Sequence, residues 1–262
     1  MFNNQTVWIT GASSGIGEYL TYAFAQAGAR VAISARNEQE LKRVQAACPR
    51  PDDILVIPLD VAEFDQVKVV ADQVLEAFGY LNILVNNAGI SQRSLVKDTA
   101  LSVDERVMDV NFLGTVAATK AVLPAMLGQR FGQIVVISSV MGKIGTPLRS
   151  AYAASKHALH GFFECLRAEV SDDGISITMI CPGFVNTNVT INALKGDGSK
   201  NNLKATSTVN GLEPDVFAAK ALKVIAAKKP EAIIGGKETL GIYLQRFAPA
   251  LLRYVVKRIK TT

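Results

Sequence analysis

Cysteine is scarce in this chain of 262 residues, and its three copies are scattered. Cys48, Cys165 and Cys181 are odd in number and widely spaced, which fits neither a disulfide framework nor the clustered spacing of a metal site. We therefore expect no bound metal, a reducing compartment, and cysteines that fill the core.

Long hydrophobic runs are also missing, since no stretch approaches the roughly 18 apolar residues of a membrane span. The first apolar run, residues 7–9, is too short for the core of a signal peptide and is soon followed by Gly11. A soluble protein of the cytoplasm is the expectation. Hydrophobic residues nevertheless make up 49% of the chain, which supplies a sizeable core and argues against disorder.

Net positive charge is small outside the C-terminus. The net charge is +5, and four of these charges come from the last ten residues, which contain no acid: Arg253, Lys257, Arg258 and Lys260. The rest of the chain lacks the broad basic face that phosphate contacts require. We expect no nucleic-acid partner.

Short apolar runs alternate with longer amphipathic stretches along the chain. The runs are apolar throughout, as in parallel strands covered on both faces: residues 7–9, 31–33, 54–59, 83–85, 134–137, 175–180 and 232–234. The stretches between them predict crossover helices, such as residues 16–27, 63–78, 116–127 and 158–170. We predict one α/β domain over residues 1–262, a doubly wound seven-stranded parallel sheet with helices on both faces.

A glycine-rich turn joins the first predicted strand to the first predicted helix. Gly11, Gly15 and Gly17 have the spacing Gly-x-x-x-Gly-x-Gly in the order strand, turn, helix. Glycine lets backbone approach a pyrophosphate, and the helix N-terminus offers free N–H groups to the anion. The pattern predicts a dinucleotide site; a glycine turn without a ligand is the alternative.

The end of the second strand indicates which dinucleotide binds. It reads Ser34-Ala35-Arg36-Asn37, without the acid that NAD-binding sites place against the ribose 2′-hydroxyl. Arg36 can pair with a 2′-phosphate, and Ser13 or Ser34 can donate a further hydrogen bond. We expect NADP(H) rather than NAD(H); alternatively, Arg36 is only a solvated charge.

Tyr152 and Lys156 are four residues apart, so a helix would place the phenol and the ammonium on one face. A cation beside a phenol lowers its pKa, which suits a proton donor or acceptor near neutral pH. Such pairs are also common on protein surfaces. The glycine turn strengthens the catalytic interpretation of the pair, because it would supply a cofactor.

The chain resembles the short-chain dehydrogenase/reductase family over nearly its whole length. The resemblance is carried by short motifs in a fixed order: Thr10 to Gly17, Asp60-Val61, Asn86-Asn87-Ala88-Gly89, Asn111, Ser138-Ser139, Tyr152-x-x-x-Lys156 and Pro182-Gly183-x-Val185-x-Thr187. It implies a Rossmann fold. Ala35-Arg36 and Ser91-Gln92-Arg93 are similar to the NADP-dependent reductase and hydroxysteroid-dehydrogenase-like branch.

The resemblance implies hydride transfer between a nicotinamide and a carbonyl or secondary alcohol, the class EC 1.1.1. Tyr152 would exchange the proton on the substrate oxygen, and Lys156 would lower the pKa of Tyr152 and hold the nicotinamide ribose. Ser139 would bind the same oxygen. Its separation of thirteen residues from Tyr152 selects it over Ser138. Asn111 would order a water that connects Lys156 to solvent, although a lone Asn is more often a backbone cap.

The cofactor residues implied by the resemblance come from the ends of several strands. Asp60 and Val61 would flank the adenine, and Thr187 would contact the nicotinamide carboxamide. Asparagine and threonine at such turns can instead cap backbone groups. The full set is Gly11, Ser13, Ser14, Gly15, Ile16, Gly17, Arg36, Asp60, Val61, Asn87, Ala88, Gly89, Tyr152, Lys156, Pro182, Gly183, Val185 and Thr187.

Residues 186–213 form a long irregular region, longer than a structural connection requires, and predict a mobile substrate loop. The side chains around the expected pocket are mixed, with Gln92 and Arg93 polar and Phe184, Val189, Ile191 and Leu194 apolar. A moderately apolar carbonyl or alcohol is the expected substrate, and its identity stays open. The alternative function is a non-catalytic NADP-binding sensor or interaction protein.

The C-terminal tail, residues 249–262, predicts a basic amphipathic helix. Its apolar stripe is Leu251, Leu252, Val255, Val256 and Ile259, with Arg253, Lys257 and Lys260 on the other side. The tail can bind an anionic membrane peripherally, or dock on a partner subunit or on the same chain. The long helices predicted at 116–127 and 158–170 are apolar on more than one side, so we expect a homodimer or homotetramer.

Overall fold

A computed structural model describes residues 2–203 and 205–258. Seven parallel strands form one sheet in the order β3-β2-β1-β4-β5-β6-β7. The strands are β1 (Thr6–Thr10), β2 (Arg30–Ser34), β3 (Ile54–Val56), β4 (Ile83–Asn86), β5 (Gly132–Ile137), β6 (Ile175–Pro182) and β7 (Glu231–Ile234). The predicted doubly wound, seven-stranded Rossmann sheet is confirmed.

The helices lie on both faces of the sheet. They are α1 (Gly15–Gln26), α2 (Glu38–Ala46), α3 (Phe64–Phe78), α4 (Leu101–Met108), α5 (Gly114–Gln129), α6 (Ser150–Glu169), α7 (Thr206–Val209), α8 (Pro214–Ala226), α9 (Leu240–Phe247) and α10 (Pro249–Arg258). One core packs α1, α2 and α8 against the sheet, and the other packs α3, α5 and α6 against its opposite face.

The first strand shows why its apolar run is continuous. Val7 and Ile9 contribute to the core under α1, whereas Trp8 between them contributes to the core under α3 and α5. Successive side chains of a strand point to opposite faces, so a strand covered on both sides has no polar positions to alternate.

Two predicted boundaries differ from the structure by three residues or more. Strand β3 ends at Val56 rather than at residue 59, although Ile57 and Leu59 still donate to the carbonyls of Ile33 and Ala35. Helix α6 begins at Ser150, eight residues before the predicted start at 158. Its first turns are rich in alanine and polar residues, so they carry little apolar periodicity. The earlier start places Tyr152 and Lys156 in the helix.

One helical run, Leu101–Gln129, is long and apolar enough to cross a membrane by length and composition, with a mean hydropathy of 1.4. It comprises α4, a π-helical segment (Asp109–Leu113) and α5. Val110, Ala118, Val122 and Met126 from this run lie in the core beneath the sheet. Core packing therefore explains its apolar composition.

The strand order reverses between β1 and β4, the point at which open α/β sheets bind ligands beyond the carboxyl ends of their strands. Gly11 follows β1 there, Asn87 follows β4, Ser139 follows β5 and Gly183 follows β6. The fold therefore brings motifs from distant parts of the sequence to one edge of the sheet.

The C-terminal tail is helical and partly docked on the same chain. Leu252 and Val256 of α10 pack with Val140, Met141 and Ala153, next to Tyr152. The other half of the predicted stripe is open, since Leu251 is 50% and Val255 is 36% exposed. Ile259 and Lys260, the remaining members of the prediction, lie outside the described residues.

Candidate active site

The turn after β1 is a cradle that only glycine can form. Gly11 and Gly15 have φ angles of 68° and 58°, in the left-handed region. A Cβ on Gly11 would lie 2.7 Å from the Cα of Ala88, and a Cβ on Gly17 would collide with the Gly11 carbonyl oxygen. Because the first amides of α1 have no partner within the helix, the cradle fits a dinucleotide pyrophosphate.

Asn87 fixes this cradle to the end of β4. Its side-chain amide donates to the carbonyl oxygens of Thr10 and Gly11, both at 3.0 Å. The hydroxyl of Thr10 accepts from the backbone N–H groups of Asn87 and Ala88 at 3.1 Å. The Asn87 side chain therefore caps backbone groups. Thr10, the first residue of the glycine motif, positions the turn after β4.

Arg36 lies exposed at the end of β2, where a 2′-phosphate was predicted. It shares this corner with Asp60, whose Oδ2 lies 2.7 Å from Nη2 of Arg106 and whose Oδ1 accepts from the Ala62 N–H at 3.1 Å. Burial raises the pKa of Asp60, but these two contacts and the charge of Arg36 outweigh it and hold the pKa below its ordinary value. Asp60 is therefore ionised and forms an ion pair with Arg106.

Ser34 does not face this corner. It is 1% exposed, and its hydroxyl accepts a hydrogen bond from the Trp8 indole N–H at 3.0 Å inside the sheet. Ser13, by contrast, lies partly exposed in the glycine turn, and its carbonyl accepts from Arg43 at 3.3 Å. Ser34 is thus engaged inside the sheet, and the contact of Ser13 with the cofactor stays a prediction.

The remaining predicted cofactor residues surround the cradle. Val61 is buried, and its carbonyl oxygen would lie 2.6 Å from a Cβ on Gly114 at the start of α5. Thr187 reaches over the glycine turn, where its Cγ2 would be 3.2 Å from a Cβ on Gly15. The other members differ mainly in exposure: Pro182 and Val185 are buried, Ile16 and Gly183 are half-buried and Ser14 is exposed.

Glu238 supports the loop after β6, although it belongs to none of the sequence motifs. Its Oε1 accepts from the N–H of Phe184 at 2.8 Å and of Gly236 at 2.9 Å. A Cβ on Gly183 would collide with the same oxygen. A carboxylate from a distant part of the sequence therefore supports the Pro182-Gly183 turn. The pairing of β6 with β7 brings the two segments together.

Asn111 lies in the π-helical segment and is fully buried. Its Oδ1 accepts from the N–H of Ile90 at 2.8 Å, and its Nδ2 donates to the Ile90 carbonyl and to the Ser155 hydroxyl, both at 2.9 Å. The side chain therefore locks the segment after β4 to α6. Its main-chain carbonyl accepts from Thr115 at 2.9 Å.

Gly89 joins the cofactor side of the site to the proton-handling side. A Cβ at this position would lie 3.3 Å from Oδ1 of Asn111 and 3.6 Å from Nζ of Lys156. The turn after β4 thus touches both predicted catalytic side chains.

Lys156 is held over the ring of Tyr152. Its ammonium donates to the Ile137 carbonyl at 2.9 Å, and Nζ is 5.8 Å from the centre of the Tyr152 ring. Burial lowers the pKa of Lys156 to about 8, partly offset by Cys181. The charge of Lys156 is therefore easily lost in this environment.

Burial raises the pKa of Tyr152, while the hydroxyl of Ser139 and the charge of Arg149 act in the opposite direction. The expected lowering of this pKa by Lys156 is wrong, because the nearby charge that acts on the phenol is Arg149 and burial outweighs it. Tyr152 is thus held in its protonated form at neutral pH.

Ser139 and Ser138 face different groups. The Ser139 hydroxyl accepts from the Met141 N–H at 3.1 Å, beside Tyr152. The Ser138 hydroxyl lies 3.1 Å from Nε2 of His160, a buried residue.

His157 contacts the carbonyl of Ala153 at 2.8 Å within its own helix. Neither histidine is in contact with the Tyr152 hydroxyl.

The comparisons with known proteins agree with this geometry. The family model of the short chain dehydrogenases matches residues 5–197. The chain belongs to the short-chain dehydrogenase family. It is 41% identical over 256 residues to dehydrogenase/reductase SDR family member 7B of Bos taurus, covering 95% of this chain and 79% of that protein. Family membership makes the chain an oxidoreductase with a nicotinamide-binding fold.

Solved structures show the same fold. A short-chain dehydrogenase from Streptomyces avermitilis superposes with a TM-score of 0.83 at 27% identity, covering 98% of both chains. An alcohol dehydrogenase from the archaeon Thermococcus sibiricus, solved with 5-hydroxy-NADP, superposes with a TM-score of 0.76 at 23% identity over 90% of this chain and 98% of its own.

Proposed function

We propose that this protein is an NADP(H)-dependent oxidoreductase that reduces the carbonyl of a moderately apolar substrate, or oxidises the matching secondary alcohol. The observation that carries the proposal is the position of Gly89, where a Cβ would lie 3.3 Å from Asn111 Oδ1 and 3.6 Å from Lys156 Nζ. It joins the dinucleotide cradle to a Ser139, Tyr152 and Lys156 group that would have no purpose in a protein that only binds cofactor.

The nicotinamide, when bound, supplies or accepts the hydride at the substrate carbon. In reduction, Tyr152 gives its hydroxyl proton to the substrate oxygen as that oxygen gains negative charge. The raised pKa of Tyr152 keeps this proton in place at neutral pH, so the phenol can serve as the acid in reduction. Ser139 donates a hydrogen bond to the same oxygen and stabilises the developing charge.

Lys156 and Asn111 return a proton to Tyr152 in this proposal. Lys156 is buried against the Tyr152 ring and would hold the nicotinamide ribose through its ammonium. Asn111 uses all of its side-chain groups on Ile90 and Ser155. Its main-chain carbonyl accepts from the Thr115 hydroxyl and has a second lone pair, so it is the atom we propose for binding the relay water.

The NADP preference rests on the corner beyond β2. Arg36 is exposed there and takes part in no ion pair among the described residues, whereas Asp60 is occupied by Arg106. A 2′-phosphate would meet a free guanidinium and no free carboxylate. Ser13 in the adjoining turn is the proposed second donor.

The direct experiment measures NADPH and NADH consumption by the purified protein against a panel of ketones and aldehydes. We expect turnover with NADPH, and a kcat/KM for NADH that is lower by at least about tenfold. A sensor, the second candidate, would bind NADPH tightly and consume none with any substrate. If the purified protein did not bind NADPH, that result would contradict both functions.

We further propose that the protein is a homodimer or homotetramer. The outer face of α6 and the π-helical segment form a groove of about 400 Å³, lined by Phe112, Phe162, Cys165 and Leu166 among others. This largely apolar groove runs along α6 beside Phe112, which suits a second copy of the same face. Light scattering tests it, with Gly161→Glu as the disrupting variant; a monomeric wild type would contradict the proposal.

We also propose a cytoplasmic protein that binds anionic membranes peripherally through α9 and α10. Tyr243, Phe247, Leu251 and Tyr254 are each at least half exposed, and four basic residues accompany them: Arg246, Arg253, Lys257 and Arg258. Apolar and cationic groups together match a negatively charged bilayer surface.

Co-sedimentation with vesicles tests the membrane proposal. We expect binding to vesicles that contain phosphatidylserine, little binding to neutral vesicles, and a loss of at least about fivefold for Phe247→Ser with Leu251→Ser. Equal sedimentation of the variant and the wild type would refute the proposal. Conversion of a dimer to a monomer by the same variant would reassign the surface to a second copy.

A further inference from the structure

Two arginines near Tyr152 have no acidic partner. Arg93 follows β4, and Arg149 directly precedes α6. Across residues 2–203 and 205–258, neither guanidinium takes part in an ion pair. A guanidinium that is enclosed by protein would be expected to pair with a carboxylate or a carbonyl.

The fold holds these two arginines in one place. Gln92, before Arg93, accepts from the Ala151 N–H at 2.9 Å, and the Ser94 N–H, after it, donates to the Leu148 carbonyl at 3.2 Å. The neighbours of Arg93 are thus bonded to the neighbours of Arg149. Leu148 has a φ of 69°, an uncommon conformation for leucine, which orients the chain just before Arg149.

Arg93 is half-buried, and two of its three side-chain nitrogens have no hydrogen-bond partner. Its Nε and Nη2 atoms are inaccessible to solvent, and neither donates to an acceptor in the protein. Burial, and then the charge of Arg149, lower the pKa of Arg93 to about 10. A pair of like charges in an enclosed site is costly unless an anion compensates them.

Arg149 has only a weak acceptor within reach. Its Nη1 is 4.0 Å from the sulfur of Met141, and burial lowers its pKa while the neighbouring Tyr152 acts against this shift. The guanidinium therefore lies on the substrate side of the site, close enough for its charge to act on the phenol.

The segment that carries Arg93 also meets the predicted substrate loop. The Arg93 N–H donates to the Leu194 carbonyl at 2.8 Å, and the Leu194 N–H donates to the Ser91 carbonyl at 2.8 Å. Arg93 is therefore enclosed by the loop on one side and by the start of α6 on the other. The dinucleotide cradle, in the turn between β1 and α1, is a separate part of the edge.

We propose that Arg93 and Arg149 bind an oxyanion of the substrate, a carboxylate or a phosphate, next to the carbonyl that Tyr152 protonates. Two guanidinium groups can hold such a group through several charge-assisted hydrogen bonds. This inference deepens the proposed function, because it names a class of substrate: a carbonyl compound with one anionic end and an otherwise moderately apolar body.

Matched ketones test the proposal by kinetics. The substrates are a keto acid, its methyl ester, and the phosphate monoester of the corresponding hydroxyketone, each reduced with NADPH. We expect the kcat/KM of the wild type to be higher for one anionic ketone than for the ester by at least about thirtyfold. The better of the two anions identifies the oxyanion. Equal values for all three compounds would overturn the proposal.

Arg93→Gln should lower the anion-to-ester ratio by at least about tenfold, and Arg93→Lys should restore part of it. Lys97→Gln is the matched control, because Lys97 is an exposed cation on the same segment, paired with Asp98 at 2.8 Å. It should leave the ratio unchanged. An equal loss for anionic and neutral ketones in Arg93→Gln would mean a structural role and overturn the site.

A binding measurement separates this inference from the proposed function. Inorganic phosphate added to the NADP⁺-saturated protein should raise the Tm of the wild type and of Lys97→Gln, but not of Arg93→Gln. Without phosphate, the Tm of Arg93→Gln should equal or exceed that of the wild type, since a buried unpaired charge is removed. An unchanged phosphate effect in Arg93→Gln would overturn the site even if ketones are reduced. A protein that reduces no ketone, but shows the Arg93-dependent phosphate effect, would lose the proposed function and keep the oxyanion site.

Discussion

The ammonium of Lys156 lies 5.8 Å from the centre of the Tyr152 ring and donates to the carbonyl of Ile137 at 2.9 Å. It therefore packs against the face of the phenol rather than against its hydroxyl. Burial moves both groups toward their neutral forms, raising the pKa of Tyr152 and lowering that of Lys156 to about 8. The pair is arranged for a tyrosine that donates a proton and a lysine whose charge depends on pH.

The first prediction concerns this pH dependence. Lys156 is charged below its pKa of about 8 and neutral above it, so its hold on the cofactor ribose weakens as the pH rises. We expect kcat/KM for NADPH to fall above about pH 8 with a single ionisation, because this parameter reports the free enzyme. In Lys156→Arg the fall should move to higher pH, since arginine stays charged. A wild-type profile that is flat to pH 10 would contradict the assignment.

Arg36 should decide between the two cofactors. Arg36→Ala removes the charge available to a 2′-phosphate, so we expect the Kd for NADPH to rise by about 10- to 100-fold. The Kd for NADH should change by less than about threefold. Fluorescence titration with each cofactor measures both constants. A similar loss for NADPH and NADH would show that Arg36 acts on the fold and not on the phosphate.

Gly17 in the cradle gives a further prediction, with Gly128 in α5 as the control. A Cβ on Gly17 would lie 2.5 Å from Nδ2 of Asn87 and would collide with the Gly11 carbonyl. Gly17→Ala should lower the free energy of unfolding by about 1–3 kcal/mol and weaken NADPH binding. Gly128→Ala, where a Cβ meets no atom within 4 Å, should leave binding intact and stabilise helix α5 by up to about 1 kcal/mol. Denaturant unfolding and cofactor titration of both variants check this difference.

His160 should make the protein less stable in acid. Burial, with a contribution from the charge of Lys143, lowers its pKa to about 4, and Glu231 only partly opposes this. Between about pH 6.5 and pH 4 the unfolded chain binds a proton that the folded chain does not, so stability is lost as the pH falls. We expect a loss on the order of 2 kcal/mol from this group across that interval.

Denaturant unfolding at a series of pH values measures that loss. His160→Gln should flatten the curve between about pH 6.5 and pH 4, whatever its effect at neutral pH. His157→Gln is the control, because His157 contacts the Ala153 carbonyl within its own helix. An acid limb that is unchanged in His160→Gln would refute the prediction.

The sequence predicted those features that depend on local pattern. Continuous apolar runs identified the parallel strands, because both faces of the sheet are covered. Glycine spacing identified the cradle, because the positive φ of Gly11 and the close approach of Ala88 to it allow no side chain. The start of α6 was placed eight residues late, since helix propensity without apolar periodicity leaves little trace.

What the sequence could not show are contacts between distant segments. The occupation of Asp60 by Arg106, the support of Gly183 by Glu238, and the enclosure of Arg93 beside Arg149 all depend on the assembled fold. The electrostatics of Tyr152 were misjudged for the same reason. Helical spacing relates Tyr152 to Lys156, but it carries no information on how deeply the phenol is buried or on the position of the Arg149 side chain.

The most direct test of the central claim compares Tyr152→Phe with Lys156→Ala in two measurements, NADPH binding and NADPH consumption with a ketone that the wild type reduces. Tyr152→Phe removes only the donated proton, so we expect its turnover to fall by at least about 100-fold while the Kd for NADPH stays within about threefold of the wild type. Lys156→Ala should lose both turnover and binding. If Tyr152→Phe consumed NADPH at the rate of the wild type, this result would contradict the role of Tyr152 as the proton donor and, with it, the proposed mechanism.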